Sequence, residues 1–85
     1  MDTCSIEVLD AFGMVLRELR QRKGWSQEAL AFESQTDRTY ISLLELGKNS
    51  ASVTMVFKLC AALDITPADF MQMVQNRIDE RRKKK

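Results

Sequence analysis

The stretch DRTYISLLELG, residues 37–47, brings Arg38, Thr39, Tyr40 and Ser42 close together. These side chains suit the gripping of a charged polymer. An arginine presents a fixed fork of donors that matches phosphates or base edges, and hydroxyls both give and accept hydrogen bonds. Lys48, Asn49 and Ser50 follow directly with more of the same chemistry. Covalent chemistry has less to work with. The chain has no histidine, no GxSxG, no Gly-rich phosphate loop and no carboxylate pair at a defensible spacing, so an enzyme is not expected. Cys4 and Cys60 are the 2 cysteines and form no CxxC. Neither a disulfide framework nor a metal site is expected from them, and no cofactor or small-molecule ligand is expected. Yet the same stretch ends in Leu43, Leu44 and Leu46, which suit protein packing. It is a reader of DNA, a strut in a core or a docking surface.

The composition narrows the setting. Eighty-five residues, 45% hydrophobic and 29% charged, fit one small globular domain. We divide it into a domain over residues 1–80 and a basic tail over 81–85. No apolar run approaches the roughly 20 residues of a membrane span, and MDTCSIEVLD lacks the basic start of a signal peptide. A cytoplasmic location without membrane partners is expected. The net charge is +1, but RRKKK at residues 81–85 holds five of the 13 basic residues. The body before it carries eight basic and twelve acidic residues. Such a body is no general polyanion binder, and any grip on DNA must come from a local patch.

The elements that must position these residues are helices. Ile6, Leu9, Phe12, Leu16 and Leu19 form one apolar stripe and predict a first helix over about 6–23, stopped by Gly24. Ser26 caps a second, short helix, with Trp25 and Leu30 placed as a hydrophobic staple. A third helix starts near Thr36 or Asp37 and ends at Gly47. A fourth follows Ser52 and turns Val56, Leu59, Cys60 and Leu63 inward. The fifth opens on Thr66, Pro67 and Asp69 and reaches about Glu80, after which RRKKK is expected to fray. The second and third helices are separated by two or three residues. Helices so short and so tightly joined must cross steeply, as in a helix-turn-helix.

Residues 15–70 resemble the Cro/repressor-type helix-turn-helix domain, the XRE family. The resemblance rests on LRELRQRKGWSQEALAFESQTDRTYISLLELGKNSASVTMVFKLCAALDI. Within it, the features are RxxR ahead of a glycine, SQEALA, YIS, ExGK and LxxxCxALxI. DRTYIS is further similar to the small dimeric controllers of restriction–modification systems. The resemblance implies a compact all-α, five-helix, lambda-repressor-like domain that regulates transcription. Three positions depart from the pattern. Gln35 stands where a turn glycine is usual, Ala51 where proline is frequent, and Leu43 and Leu46 where the third helix often carries polar or basic residues.

At about 100° per residue, Tyr40, Ile41 and Leu44 share one face of the third helix, which packs on the core. Arg38, Thr39, Ser42, Leu43 and Leu46 spread over the other. In a helix-turn-helix that outer face and its N-terminal end enter the major groove. Arg38, Thr39 and Ser42 are therefore the base-edge candidates, and Leu43 can sit on a thymine methyl. Leu46 is expected at the edge of the core. The resemblance implies that Gln27 bonds a phosphate and braces the start of the third helix. It implies that Lys48, Asn49 and Ser50 grip the backbone, and that Arg20 and Glu45 form a structural ion pair. Ser26 can serve as cap and phosphate ligand together, and the Tyr40 hydroxyl can reach a phosphate.

One such module buries too little surface for specificity, so a homodimer on a palindromic operator is expected. Phe70, Met71, Met73, Val74 and Ile78 form the stripe assigned to that interface. The sharpest form of this reading is an autoregulatory controller of a restriction–modification operon on double-stranded DNA. The alternative is a protein-interaction module or antitoxin that keeps the fold.

Overall fold

Three of the helices begin where a hydroxyl accepts a leading N–H, and four end where the backbone turns left-handed. The structure, a computed structural model, describes residues 3–83, with backbone alone for residues 3–6 and Lys83. The side chains of Cys4 and Ile6, and all of Lys84 and Lys85, lie outside the described residues. The order is α1 (Thr3–Arg22), α2 (Gln27–Ser34), α3 (Arg38–Glu45), α4 (Val53–Leu63) and α5 (Pro67–Lys83). Among the described residues there is no strand.

The hydroxyls of Ser26, Ser52 and Thr66 accept bonds from the N–H groups of Ala29, Met55 and Asp69 at 3.0, 3.1 and 3.1 Å. Each satisfies a donor that has no partner within its helix. Asp37 occupies the same place before α3 but makes no capping bond through its side chain.

The stops share one geometry. After α1, Trp25 N–H bonds the Arg20 carbonyl and Gly24 N–H bonds that of Gln21. The same crossed pair closes α2 at Gln35 and Thr36, α3 at Gly47 and Lys48, and α4 at Asp64 and Ile65. It needs a left-handed residue at its hinge. Gly24 and Gly47 supply one freely, at φ 73° and 74°. Gln35 and Asp64 adopt φ 57° and 60° with a Cβ in place. For Gln35 that costs on the order of 1 kcal/mol.

The core lies where the five helices meet, and Val15, Leu16, Leu30, Ile41, Leu44, Leu59 and Phe70 are among its buried side chains. Phe12 and Phe70 stack at a tilt, with ring centroids 4.9 Å apart. α1 is the spine, packing on α3 and α5, while α2 packs on α3 and α4. Gly13 lets α1 and α3 approach closely. A Cβ at this position would run into the carbonyl oxygens of Leu44 and Glu45. Cys60 is buried, and desolvation lifts its thiol from 9.0 to about 11, so it packs as an unreactive hydrophobe.

Two sequence expectations change here. The stripe of α5 faces inward at three of its five positions: Phe70, Val74 and Ile78 belong to the core. α1 packs against α5, so these three residues are already covered within a single copy. The end of α5 also does not fray at Glu80. The helix continues to Lys83, with Arg81 3.7 Å from Asp10 and Arg82 3.2 Å from Glu7 on α1. Glu18 and Arg77 bridge the same two helices at 2.5 Å. No described helix is long and apolar enough to cross a membrane.

Candidate nucleic-acid interface

α3 owes its placement to its inner face and both of its ends. Ile41 and Leu44 are fully buried and bind the helix to the core. Before α3, the buried Ser34 hydroxyl donates to the Leu30 carbonyl at 2.6 Å and shares a hydrogen bond with the Thr36 hydroxyl at 2.8 Å. The turn between α2 and α3 is thereby fixed from within.

At the far end, Glu45 is the hub. Its Oε2 takes a 2.6 Å bond from Arg20 Nε, and its Oε1 takes bonds from Arg20 Nη2 at 3.0 Å and Gln27 Nε2 at 3.1 Å. Arg20 Nη1 also donates to the Trp25 carbonyl at 2.8 Å. One carboxylate thus ties α3 to the end of α1 and the start of α2. Both side chains are withdrawn from water, so the pair works in a low dielectric with its hydrogen bonds satisfied. Gln27 corrects an expectation, since it braces the end of α3 rather than its start. The N-terminus of α2 lies over the last turn of α3, where Glu45 waits.

With those anchors made, the outward face of α3 is open. Arg38 and Thr39 are exposed, and Ser42 and Leu43 are half-buried. Leu46 is 62% exposed, so it is not the core-edge residue the sequence suggested. It follows the last helical residue, where the chain is already turning away from the core. Lys48, Asn49 and Ser50 come next, all exposed. The Tyr40 hydroxyl donates to the Ser50 carbonyl at 3.2 Å. Its one proton is engaged there, so in this structure Tyr40 positions the loop. The Ser26 hydroxyl is occupied by its cap, but Ser26 remains exposed at the N-terminus of α2, where the helix dipole favours an anion.

The result is a row of polar side chains along α3, flanked by a cationic loop and a helix N-terminus. Apart from two leucines, it offers donors and acceptors of hydrogen bonds. Nothing in it is arranged to break or form a covalent bond. Sequence reasoning missed two exposed aromatic residues elsewhere, Phe32 at 81% and Phe57 at 59%. The signal for Phe57 was present, because it lies off the inward face of α4 expected from Val56, Leu59, Cys60 and Leu63.

Residues 16–70 match the helix-turn-helix family HTH_3. The chain belongs to that family. It is similar to the control protein C.BamHI of Bacillus amyloliquefaciens, 41% identical over 61 residues that span 71% of this chain and 75% of that protein. Among solved structures it is similar to the restriction-modification controller protein C.AhdI from Aeromonas hydrophila. That match has 48% identity and a TM-score of 0.71, over 73% of this chain and 94% of the other. A further match is the controller C.Esp1396I, crystallised as a tetramer in complex with its natural 35 base-pair operator. It has 30% identity and a TM-score of 0.77, over 84% of this chain and 93% of the other. The protein is thus a helix-turn-helix transcription regulator homologous to restriction–modification controllers.

Proposed function

We propose that the chain acts as a homodimer on a palindromic operator and controls a restriction–modification operon, its own gene included. It works in the cytoplasm as a binding protein and not as an enzyme, with no small-molecule effector. The observation that carries the reading of DNA is the two-faced α3: Ile41 and Leu44 fully buried, Arg38 and Thr39 exposed on the other side. Arg38, Thr39 and Ser42 meet base edges, with Leu43 against a thymine methyl. Lys48, Asn49, Ser50, Ser26 and the α2 N-terminus hold phosphates, while Gln27 and Tyr40 keep their neighbours in place. The operator of the related C.Esp1396I is occupied by a tetramer, which supports a multimeric mode of binding for this chain too.

Fluorescence anisotropy against fragments of the surrounding genome, at about 100–150 mM salt, tests the proposal under conditions where sequence-blind binding is weak. One fragment should bind well above random DNA. On it, Arg38→Ala should cost about 1–3 kcal/mol and relax selection at one position of the site. Binding no fragment better than random DNA favours the alternative, an interaction module that kept the fold. The exposed Leu46 and Phe32 are the observations that speak for that alternative.

A further inference from the structure

The loop after α3 rests on a carboxylate. Gly47 opens that loop at φ 74°, and a Cβ there would come within 2.5 Å of Asp10 Oδ1 and 3.5 Å of the Asp10 backbone nitrogen. Glycine is thus required twice at this position, by the backbone conformation and by the close approach of α1. Lys48 begins one peptide further on, about 3.8 Å away. The loop is held over this charge at both ends. The Lys48 N–H bonds the Leu43 carbonyl at 3.0 Å, and the Tyr40 hydroxyl donates to the Ser50 carbonyl. From the other side, Asp10 Oδ2 lies 3.7 Å from Arg81 Nη1 near the end of α5.

We infer that Arg81 is a positioning residue of the DNA grip that acts through Asp10: it masks the carboxylate behind the loop so that the loop can hold phosphate, a role that rests on the reading of DNA proposed above. A phosphate held by the loop beside Lys48 lies on the order of one Debye length from Asp10, about 10 Å at 0.1 M salt, near enough for a bare carboxylate to oppose it. The body before residue 81 carries twelve acidic and eight basic residues, so its field adds to that opposition and does not offset it. The loop cannot move off the charge, because Gly47 is packed on Asp10 and Ser50 is tied to Tyr40. The pair itself has little structural work. Its side chains are 46% and 40% exposed and stand 3.7 Å apart, so it contributes little to stability. The buried Phe70, Val74 and Ile78 already hold α5 in place. What the pair does change is the charge under the loop.

Fluorescence anisotropy of the full chain on a random-sequence duplex tests this role at about 50 mM salt, where sequence-blind binding is measurable. Folding of every variant is checked by circular dichroism. Arg81→Gln should weaken binding about fivefold, and Arg81→Lys should bind like the parent. In an Asp10→Asn background, Arg81→Gln should change affinity by less than about twofold, because no charge remains to be masked. A structural loss at the end of α5 would persist in that background, and so would the loss of one more cation to general attraction. An equal loss in both backgrounds therefore overturns the role of Arg81 and leaves the reading of DNA standing. A parent chain that binds no duplex overturns both. If Asp10→Asn does not fold, Asp10→Ser takes its place in the same cycle, with the same two outcomes.

Discussion

Leu43 on the outer face of α3 and Leu46 just past its last residue have no hydrogen bond to give. Leu43 is half-buried, while Leu46 is largely in water. An exposed leucine on a monomer is ordinary, but two of them bordering Arg38, Thr39 and Ser42 make an apolar strip beside a polar one. On DNA the natural counterpart is the thymine methyl group, the one apolar feature of the major-groove edge. This assignment predicts a specific chemical sensitivity. Replacing the contacted thymine by deoxyuridine removes the methyl group and leaves every hydrogen-bonding group in place. The parent chain should lose about fivefold in affinity, roughly 1 kcal/mol, the lower end of a single base contact. Leu43→Ala should bind both operators alike, because the partner of the methyl group is gone. Equal binding of the two operators by the parent chain, at every thymine of the site, would remove Leu43 and Leu46 from the reading surface.

At the scale of helices, the hub at Glu45 decides whether α3 is presented at all. Removing one partner of a buried ion pair leaves the other uncompensated, at a cost of about 3–5 kcal/mol. Glu45→Ala should therefore lower stability by that order in urea denaturation, because Arg20 would keep only the Trp25 carbonyl. Arg20→Met with Glu45→Leu should recover most of the loss, since no lone charge remains. A double variant no more stable than Glu45→Ala would show that the bond to Gln27, not the charge pair, holds the helix. Much of this architecture was legible in the chain. The caps at Ser26, Ser52 and Thr66 and the stop at Gly24 are local, determined by residues three or four apart, so sequence alone could place them. The Arg20–Glu45 pair is 25 residues apart in sequence and entered the reading through family resemblance, not through any local rule. Periodicity could show that α5 has an apolar stripe, but not what covers it. Phe70, Val74 and Ile78 pack against α1 because of tertiary topology, which no local signal encodes. Leu46 was misread for a related reason: a wheel drawn through the end of a helix cannot show that the chain has already turned away. Gln27 found Glu45 instead of the start of α3 because the crossing angle of two short helices selects the partner.

For the whole molecule, the balance of charge makes a quantitative statement about binding. The body before the basic end carries more acidic than basic residues, so its overall field does not draw DNA in. Arg81 and Arg82 are engaged with Asp10 and Glu7 on α1, which takes two of the terminal cations out of any general attraction. Affinity must then come from a few phosphate contacts near α3, and their number can be counted. Each neutralised phosphate releases condensed counterions and contributes about −0.9 to the slope of log K against log salt. Lys48 is exposed in the loop after α3 and bonds nothing through its own side chain among the interactions described, so it is free to neutralise one phosphate. A two-fold dimer presents Lys48 twice on one operator. The molecule measures 38 × 24 × 21 Å, about enough for one half-site when half-site centres lie about 34–36 Å apart. Lys48→Ala should accordingly flatten the slope by about 2 between about 50 and 200 mM salt. It should also weaken specific and random sequences by similar factors, in contrast to Arg38→Ala. A change near 1 would mean that a single copy occupies the site, and an unchanged slope would take Lys48 off the phosphate backbone. The surface ion pairs between α1 and α5 are also screened by salt, but exposed pairs contribute little, and they are the same in parent and variant. They cancel from the comparison, and the difference in slope reports the number of copies on the DNA.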